Sequence, residues 1–365
     1  MHATSSILIV RTSAIGDVIH TFPVLDYLRE KFPHAKIDWV VERGIVDLLA
    51  AHPSLSRVIP VDFKKWRKKI FSKATLRDAK ASLTELRRTH YDLLFDLQGN
   101  GKSALVTLSA KAKVKVGFGY HSAREKMNLL ATHVRFNVAE TPIRCKYLQL
   151  VQDYFQDKER KTSAPVHLRL NEKEKQRLQE LLSLKKAPWL MIATGSKWPN
   201  KQMSHETLSR FLSLVAARFS FSFLFIYGNE EEKQIADGLS LRFKERSMAV
   251  GGLSLPLWQA LMYEASGVVA VDSAALHLCA TTSTPSFSIF GPSLASVYKP
   301  TEEKHMAIQG SCPYGKTFVK HCSLLRTCST GACIKDLKED SLFQAFSFWI
   351  SSNHLSMRKN SLKLI

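Results

Sequence analysis

Residues 7–17 read ILIVRTSAIGD, a short apolar run followed by a polar turn that contains one glycine. A run of this length bounded by turn residues indicates a buried strand. Apolar residues then recur at helical spacing from Ile19 to Phe32, and Pro33 ends the pattern. A buried strand that leads through a turn into a helix is typical of a parallel sheet with helices on both faces.

The same alternation of strand and helix continues along the chain. Further strands are predicted in the first half at 37–41, 58–61 and 91–95, and in the second half at 189–193, 221–227, 267–271 and 286–290. The polar segment QDKERKTSAP (156–165) interrupts the pattern, so we place a lobe boundary after residue 160. A length of 365 residues also favours two α/β lobes over one core.

The charge of the chain indicates an anionic partner or surface. Lys and Arg total 52 against 32 Asp and Glu, a net charge of +20. Nucleic acid, phospholipid headgroups and phosphorylated saccharides all fit such a surplus. The N-terminus has no apolar core of an export signal, and no apolar run reaches membrane-spanning length. We therefore expect a cytoplasmic protein that can lie on a membrane surface without crossing it.

The loop that follows the first strand is a candidate catalytic loop. In open parallel sheets, ligands bind outside the carboxyl ends of the strands, so the residues there carry the chemistry. Gly16 permits close approach of the backbone to a ligand, and Asp17 lies at a helix start. Asp17 is either a helix-capping residue or a general base. The dinucleotide fingerprint G-x-G-x-x-G is absent from this loop.

Three loops of the second half have the residues of a nucleotide site. In ATGSKWPNKQMS (193–204), small polar residues and lysines can contact phosphate, although a solvated basic loop is an equal alternative. Glu230 opens a helix after a strand, where a carboxylate can bind ribose hydroxyls, whereas Glu231 and Glu232 fit the helix dipole. In VDSAALHL (271–278), Asp272 to Ala274 lead into a helix whose His277 lies one turn later, a pattern that fits a diphosphate.

Basic clusters in the first half suit an anionic acceptor. They are the run 64–69 around Trp66, the lysines at 111, 113 and 115 around a short predicted strand, and Arg124 with Lys126. A charge run is also the usual composition of a solvated face.

Taken in order, these motifs resemble the bacterial lipopolysaccharide heptosyltransferases of glycosyltransferase family 9, and within them heptosyltransferase I. The motifs that carry the resemblance are RTSAIGDVIHT (11–21), DWVVERG (38–44), the basic run around Trp66, DLQGNGKSA (96–104), SAREKMNLL (122–130), KQMS (201–204), GNEEE (228–232) and VDSAALHL (271–278). The resemblance implies a GT-B fold: two Rossmann-like lobes (1–160 and 161–335) around a central cleft, with a C-terminal helix (336–365) that returns to the first lobe. It implies transfer of heptose from ADP-heptose to Kdo-lipid A with inversion, by a monomer at the cytoplasmic face of the inner membrane, with no cofactor and no metal.

The resemblance also assigns roles to individual residues. Asp17 matches the general base, and Lys201 matches the lysine on the donor phosphate and sugar. The other donor-binding positions are Gly195, Ser196, Lys197, Glu230, Leu253, Asp272, Ser273, Ala274 and His277. The acceptor-binding positions are Ser13, Gly16, Lys64, Lys65, Arg67, Lys68 and Arg124. The loop DSAALH departs from the family's D-T-G-x-x-H, since Ala274 is small but lacks the freedom of glycine.

The cysteines fall into two groups. Cys145 and Cys279 stand alone and are expected in the core. Four others cluster near the C-terminus: Cys312, Cys322, Cys328 and Cys333. Only the last pair approaches the spacing of zinc ligands, so reduced structural thiols and a zinc site both stay open.

Three alternative functions remain from the sequence. A sister heptosyltransferase would act on a heptose of the inner core, and a binding homologue would lack catalysis. A basic nucleic-acid-binding protein would fit the charge, but no helix-turn-helix, RNP pattern or finger spacing is visible. The enzymatic interpretation predicts that the loops of Asp17 and Asp272 face one another across a cleft.

Overall fold

A computed structural model describes residues 4–69, 72–139, 142–157, 165–184 and 188–355. The chain divides into two compact units, Met1–Arg169 and Leu170–Ile365. The boundary predicted after residue 160 lies outside the described residues.

The first unit is built on a six-stranded parallel sheet with the order β3-β2-β1-β4-β5-β6. The strands are β1 Ser6–Val10, β2 Lys36–Glu42, β3 Arg57–Val61, β4 Tyr91–Asp96, β5 Ala112–Phe118 and β6 Val134–Phe136. The helices are α1 Ile15–Ile19, α2 Phe22–Lys31, α3 Val46–Ala50, α4 Phe63–Lys68, α5 Lys73–Arg87, α6 Gly101–Ser109 and α7 Ile143–Phe155, with short 3-10 helices at Arg43–Ile45 and Lys126–Leu130. All of β1 is buried, as its apolar sequence predicts for a central strand of a parallel sheet.

The second unit repeats this architecture in the order β12-β11-β10-β7-β8-β9. Its strands are β7 Trp189–Ala193, β8 Ser222–Ile226, β9 Ser247–Val250, β10 Gly267–Val271, β11 Ser286–Phe290 and β12 His305–Gln309. Its helices are α8 Glu172–Ser183, α9 His205–Arg218, α10 Glu230–Phe243, α11 Leu255–Glu264, α12 Ala274–Cys279, α13 Ala295–Tyr298, α14 Ala332–Lys335 and α15 Glu339–Ser352, with 3-10 helices at Pro199–Lys201 and Lys244–Arg246.

Both sheets have the strand order of a dinucleotide-binding fold, read from opposite ends. In each, the chain starts in the middle, builds outward to one edge and then returns to build the other half. The order reverses between β1 and β4 in the first sheet and between β7 and β10 in the second. Ligands of open parallel sheets bind at such a switch point, at the carboxyl ends of the two central strands. The loops after these four strands are therefore the ones that position a site.

Polar caps fix where several helices start. The side chains of Asn100, Asn171, Ser204, Asn229 and Ser254 each accept a hydrogen bond from a backbone N–H of the first turn. Such caps satisfy donors that the helix itself leaves unpaired. Helices α9 to α11 follow strands of the second sheet, so their capped starts lie on the side of the strands' carboxyl ends, where the second site is expected.

The C-terminal helix α15 belongs to the core of the second unit. Its apolar stripe, Leu342, Phe346 and Trp349, is fully buried with residues of α9 and β11. The Trp349 indole packs where Gly267 has no side chain, and its Nε1 donates to the carbonyl of Lys304 at 3.0 Å. The described part of the predicted C-terminal helix (336–365) therefore packs on the second unit, and its return to the first lobe stays a prediction.

None of the helices in the described ranges is long and apolar enough to span a bilayer.

Candidate functional site

Asp17 lies at the switch point of the first sheet, in the first turn of α1. Its Oδ2 is 2.8 Å from the guanidinium of Arg11, whose side chain is 5% exposed, whereas that of Asp17 is 30% exposed. Asp17 also accepts from the backbone N–H of Ala14 at 3.3 Å and from the hydroxyl of Tyr147 at 3.4 Å. The carboxylate therefore caps the helix start, as one interpretation predicted, and also presents an accessible face to solvent.

Arg11 holds Asp17 from the buried side. Its other guanidinium nitrogen donates to the carbonyl of Leu97 at 2.7 Å, and the group lies 4.7 Å from the ring centroid of Tyr147. Burial disfavours its charge, but Tyr147 and Asp17 outweigh burial and raise the pKa of Arg11. A permanent buried cation thus holds and orients the carboxylate.

The loop after β4 completes the floor of this site. Asp96 is fully buried and accepts from the backbone N–H groups of Gln98 and Gly99, both at 3.0 Å. The Gln98 side chain accepts from the backbone and hydroxyl of Thr12 at 2.6 and 2.8 Å. The loops after β1 and β4 are thereby joined, and Asp96 has a structural role.

The predicted acceptor residues lie on the same unit but form no single cluster with Asp17. Lys64, Lys65, Arg67 and Lys68 lie on α4, and all four are exposed. Trp66 anchors that helix, since its Nε1 donates to Asp78 at 2.9 Å and its ring packs on Phe63. Arg124 is exposed in another loop, and Ser13 and Gly16 lie beside Asp17.

Three predicted residues meet at the switch point of the second sheet. Lys201 and Asp272 form an ion pair, and His277 Nε2 lies 3.3 Å from the other carboxylate oxygen of Asp272. Asp272 and His277 are both buried, at 6% exposed. Lys201 follows β7, whereas Asp272 and His277 follow β10, so pairing of these adjacent strands brings the three together.

Asp272 is ionised in this cluster. Burial alone would raise the pKa of its carboxyl group, but the hydrogen bond from His277 and the charge of Lys201 lower the pKa far below its usual value. A buried carboxylate held between two basic groups is a fixed anchor for a polar ligand.

The start of α12 adds hydrogen-bonding groups to this cluster. Ser273 occupies the position before the helix, and its buried hydroxyl has no hydrogen-bond partner among the described residues. Ala274 is the first helical residue, and its small side chain permits close approach of a ligand to the helix start.

The loop after β7 lies beside the same cluster. The carbonyl of Ser196 accepts from the Gln202 side chain at 2.6 Å. Lys197 is exposed, with its ammonium 5.9 Å from the ring centroid of Trp198. A side chain at Gly195 would collide with the carboxylate of Glu232, so glycine fits best there.

Comparison with known proteins identifies the family. The family model for glycosyltransferase family 9 (heptosyltransferase) matches residues 81–327. Lipopolysaccharide heptosyltransferase 1 of Pseudomonas aeruginosa is 30% identical over 299 residues, 78% of each chain. The chain belongs to glycosyltransferase family 9.

Further relatives agree with this family 9 assignment. Lipopolysaccharide heptosyltransferase 1 of Campylobacter coli is 26% identical over 315 residues, 80% of this chain and 86% of that one. The structure of E. coli heptosyltransferase WaaC with ADP superposes with a TM-score of 0.78 at 24% identity, covering 94% of this chain and 99% of that chain. The two parallel sheets thus form the expected GT-B fold, and the chain is a glycosyltransferase.

The remaining donor positions of this family 9 enzyme lie on neighbouring loops. Glu230 is exposed at the first position of α10. Glu232 lies in the first turn of α10, where its charge fits the helix dipole as predicted, and it also accepts from the backbone N–H of Gly228 at 2.7 Å and covers Gly195. Leu253 is half-buried after Gly252, whose φ of +65° favours glycine.

The roles of two residues near the first site were not predicted from the sequence. Arg11 is within the motif RTSAIGD, but its pairing with Asp17 depends on a turn that sequence spacing does not specify. Glu42 ends β2 beside β1; its Oε1 is buried without a hydrogen-bond partner among the described residues, and burial raises its pKa. The sequence feature that could have identified Glu42 is its position at the end of a strand.

The cysteines differ from expectation in one respect. Cys279 is buried as predicted, but Cys145 is exposed. Cys312, Cys322, Cys328 and Cys333 line one small cavity and are all free thiols. Burial, and then the nearness of the other three, raises the pKa of the Cys333 thiol to about 11.

Proposed function

We propose that this family 9 enzyme transfers heptose from ADP-heptose to a Kdo sugar of the lipopolysaccharide inner core. The observation that carries the proposal is a pair of switch-point sites, one with an arginine-held carboxylate and one with a Lys-Asp-His cluster. Relatives named lipopolysaccharide heptosyltransferase 1 support the choice of substrates.

The second unit is proposed to bind the donor. Asp272 would hold hydroxyl groups of the heptose, because its ionised carboxylate accepts strong hydrogen bonds. Lys201, His277 and the backbone N–H groups at 273–274 would face the diphosphate, with Ser273 adding its hydroxyl. Gly195, Ser196 and Lys197 border the same loop, Glu230 would bind the ribose, and Leu253 would pack on the adenine.

The first unit is proposed to supply the base. Asp17 removes the proton from an acceptor hydroxyl, whose oxygen forms a bond to the anomeric carbon of the heptose. The bond from that carbon to the β-phosphate oxygen breaks on the opposite face, so the configuration inverts. Arg11 orients the carboxylate, since the pair is buried on the arginine side.

ADP leaves as an anion, and the same cations would stabilise its developing charge. Lys201 and His277 are already held in place by Asp272, so little reorganisation is needed when charge appears beside them. The stabilising groups in this step are side chains of the protein itself. The mechanism requires the loops of Asp17 and Asp272 to reach the same heptose.

The acceptor is proposed to bind along the basic face of the first unit. Lys64, Lys65, Arg67 and Lys68 belong to α4, and Arg124, Ser13 and Gly16 complete the set. Cations on a surface helix attract phosphate groups of a glycolipid and of a membrane surface. We further propose that the enzyme works as a monomer at the cytoplasmic face of the inner membrane.

One transfer assay tests this function against its alternatives. Radiolabelled ADP-heptose is supplied with one of two acceptors, Kdo-lipid A or Kdo-lipid A that already carries one heptose. Binding of duplex DNA and of lipid A is measured separately. Label in the Kdo-lipid A product is expected. Transfer only to the heptosylated acceptor would favour the sister enzyme, and salt-dependent DNA binding stronger than binding to lipid A, without transfer, would contradict the proposal.

A further inference from the structure

The first unit contains an apolar cavity between its sheet and two of its helices. The cavity has a volume of about 170 Å³ and lies over β2 and β3, with α5 and α6 as its walls. The described residues that line it are apolar apart from Ser82 and Ser109, and the Ser82 hydroxyl donates to the carbonyl of Pro60 at 2.8 Å. Protein cores pack closely and contain few voids larger than a water molecule, so a space of this size is unusual.

The size and lining of this cavity fit a hydrocarbon chain. An apolar cavity of about 150 Å³ is sufficient to take up a benzene molecule, whereas one water needs only roughly 10–15 Å³. A sugar or an ion that entered the cavity would give up its hydrogen bonds to water for an apolar lining, which is unfavourable. The cavity therefore selects an apolar ligand several carbon atoms long.

Exposed leucines surround the cavity on both helices. Leu105 of α6 lines the cavity and is 59% exposed. Leu108 lies one helical turn further along α6, and Leu76 lies one turn before the lining residue Ala79 on α5. These two leucines are 55% and 58% exposed, although they are not among the described residues that line the cavity. One bound chain would not require them, whereas a layer of hydrocarbon around the cavity would cover all three leucines.

Cations border the end of the cavity that α4 forms. Phe63 and Trp66 of α4 line the cavity, and the Lys102 ammonium lies 5.9 Å from the ring centroid of Phe63. Residues 62–88 contain ten Lys and Arg against three Asp and Glu. These three carboxylates are each paired with arginine, at Asp62, Asp78 and Glu85. The exposed lysines of α4 therefore give this end of the cavity a positive surplus that attracts anionic headgroups.

We propose that this cavity binds one acyl chain of an anionic bilayer phospholipid, whose headgroup phosphate contacts the cations of α4 and Lys102. Surfaces that bind at a membrane interface combine apolar and basic side chains, because burial of apolar area and attraction to anionic lipids add together. Leu76, Leu105 and Leu108 would then lie against neighbouring chains of the bilayer. This anchor rests on the proposed location of the enzyme at a membrane surface, but it does not depend on heptose transfer.

One substitution separates the cavity from the cations. Each methylene group that moves from water into an apolar site improves affinity roughly fourfold, so two or more of them contribute more than about tenfold. Ala79→Phe places a ring in the cavity and should remove this contribution, while the cations of α4 remain. Ala81→Phe is the matched control, because Ala81 is an exposed residue of the same helix outside the described lining.

Binding of the full-length protein to vesicles tests the proposal. Wild type and both variants are sedimented with phosphatidylcholine vesicles that contain phosphatidylglycerol, and with vesicles of phosphatidylcholine alone. Wild type and Ala81→Phe should bind the anionic vesicles equally well, and Ala79→Phe should bind them at least roughly tenfold more weakly. Equal binding by the two variants would overturn the proposal, since the cations alone would then explain the attachment.

Fluorescence quenching in the wild type avoids dependence on a variant that fails to fold. Trp66 lines the cavity, so phosphatidylglycerol with brominated acyl chains should quench tryptophan fluorescence more than the unbrominated lipid does. This additional quenching should disappear in Trp66→Phe. Its absence in the wild type, or its persistence in Trp66→Phe, would overturn the proposal.

The same measurements identify another occupant if there is one. Complete displacement of the brominated lipid by an equimolar amount of lipid A, or a dimer that Ala79→Phe dissociates, would overturn the choice of a bilayer phospholipid. Vesicle binding by protein that transfers no heptose would contradict the proposed function alone. Transfer to a detergent-dispersed acceptor by protein that does not bind vesicles would overturn this anchor alone.

Discussion

Replacing Lys201 with methionine isolates the ion pair at the centre of the second site. The lysine side chain is 16% exposed and that of Asp272 is 5% exposed, so the substitution strips a buried carboxylate of its cation. Breaking a fully buried pair costs about 3–5 kcal/mol. His277 remains at 3.3 Å from Asp272 and Lys201 reaches the surface, which reduces the expected loss to about 2 kcal/mol.

Hydrogen exchange is suited to this measurement, because two units need not unfold together. Exchange free energies of peptides from β7 and β10 report the second unit directly. Lys201→Met should lower them by about 2 kcal/mol, and Asp272→Asn in the same chain should recover part of the loss. Lys197→Met is the matched control: this lysine is exposed in the same loop, and its loss should cost under about 0.5 kcal/mol.

The same variant should weaken ADP binding. A charge-assisted hydrogen bond is worth about 1.5–3 kcal/mol, so we expect an increase in Kd of roughly 10- to 100-fold for Lys201→Met. Equal effects of the two substitutions on exchange, or an unchanged Kd for Lys201→Met, would refute the reasoning, since the ion pair would then add nothing beyond a surface charge.

Three further predictions concern other parts of the chain. Burial, and then Arg169, lowers the pKa of His52 to about 4, so its contribution to stability is complete above about pH 6.5 and is lost as the pH falls through 4. The free energy of unfolding of the first unit should drop by about 2–3 kcal/mol from pH 7 to pH 4.5, a slope that His52→Gln should lack in urea titrations. Trp349→Ala should lower the hydrogen-exchange free energy of the second unit by about 3–5 kcal/mol, because removal of the fully buried indole leaves a cavity. Arg11→Lys should reduce transfer at least roughly 10-fold without changing ADP affinity, because lysine cannot hold Asp17 and the Leu97 carbonyl together; unchanged transfer would contradict that role.

The central strands and the edge strand β3 could be predicted from sequence, and the other three edge strands could not. The strands β7, β10 and β11 match the predicted ranges, because each is an uninterrupted buried run. The missed strands β6, β9 and β12 all lie at sheet edges. Their residues are largely half-buried, so the apolar pattern that marks a strand is diluted by polar side chains.

The candidate site also has features that could be predicted from the sequence and features that could not. Strand ends predicted Asp17, Lys201 and Asp272, because parallel sheets gather ligand-binding residues at one edge. Sequence could not reveal that Lys201 and His277 both bind Asp272, since Lys201 comes from a different loop and the contact depends on the pairing of β7 with β10. The C-terminal helix was expected over 336–365 from the resemblance, whereas an apolar stripe such as that of α15 specifies burial without naming the surface that receives it.

The most direct test of the account is transfer by Asp17→Asn. Asparagine keeps the size of the side chain but cannot accept a proton as a base, while the donor site on the second unit is untouched. We expect ADP affinity equal to wild type, with transfer of heptose to Kdo-lipid A reduced by roughly 100-fold or more. Near-normal transfer by the folded variant would contradict the assignment of Asp17 as the base.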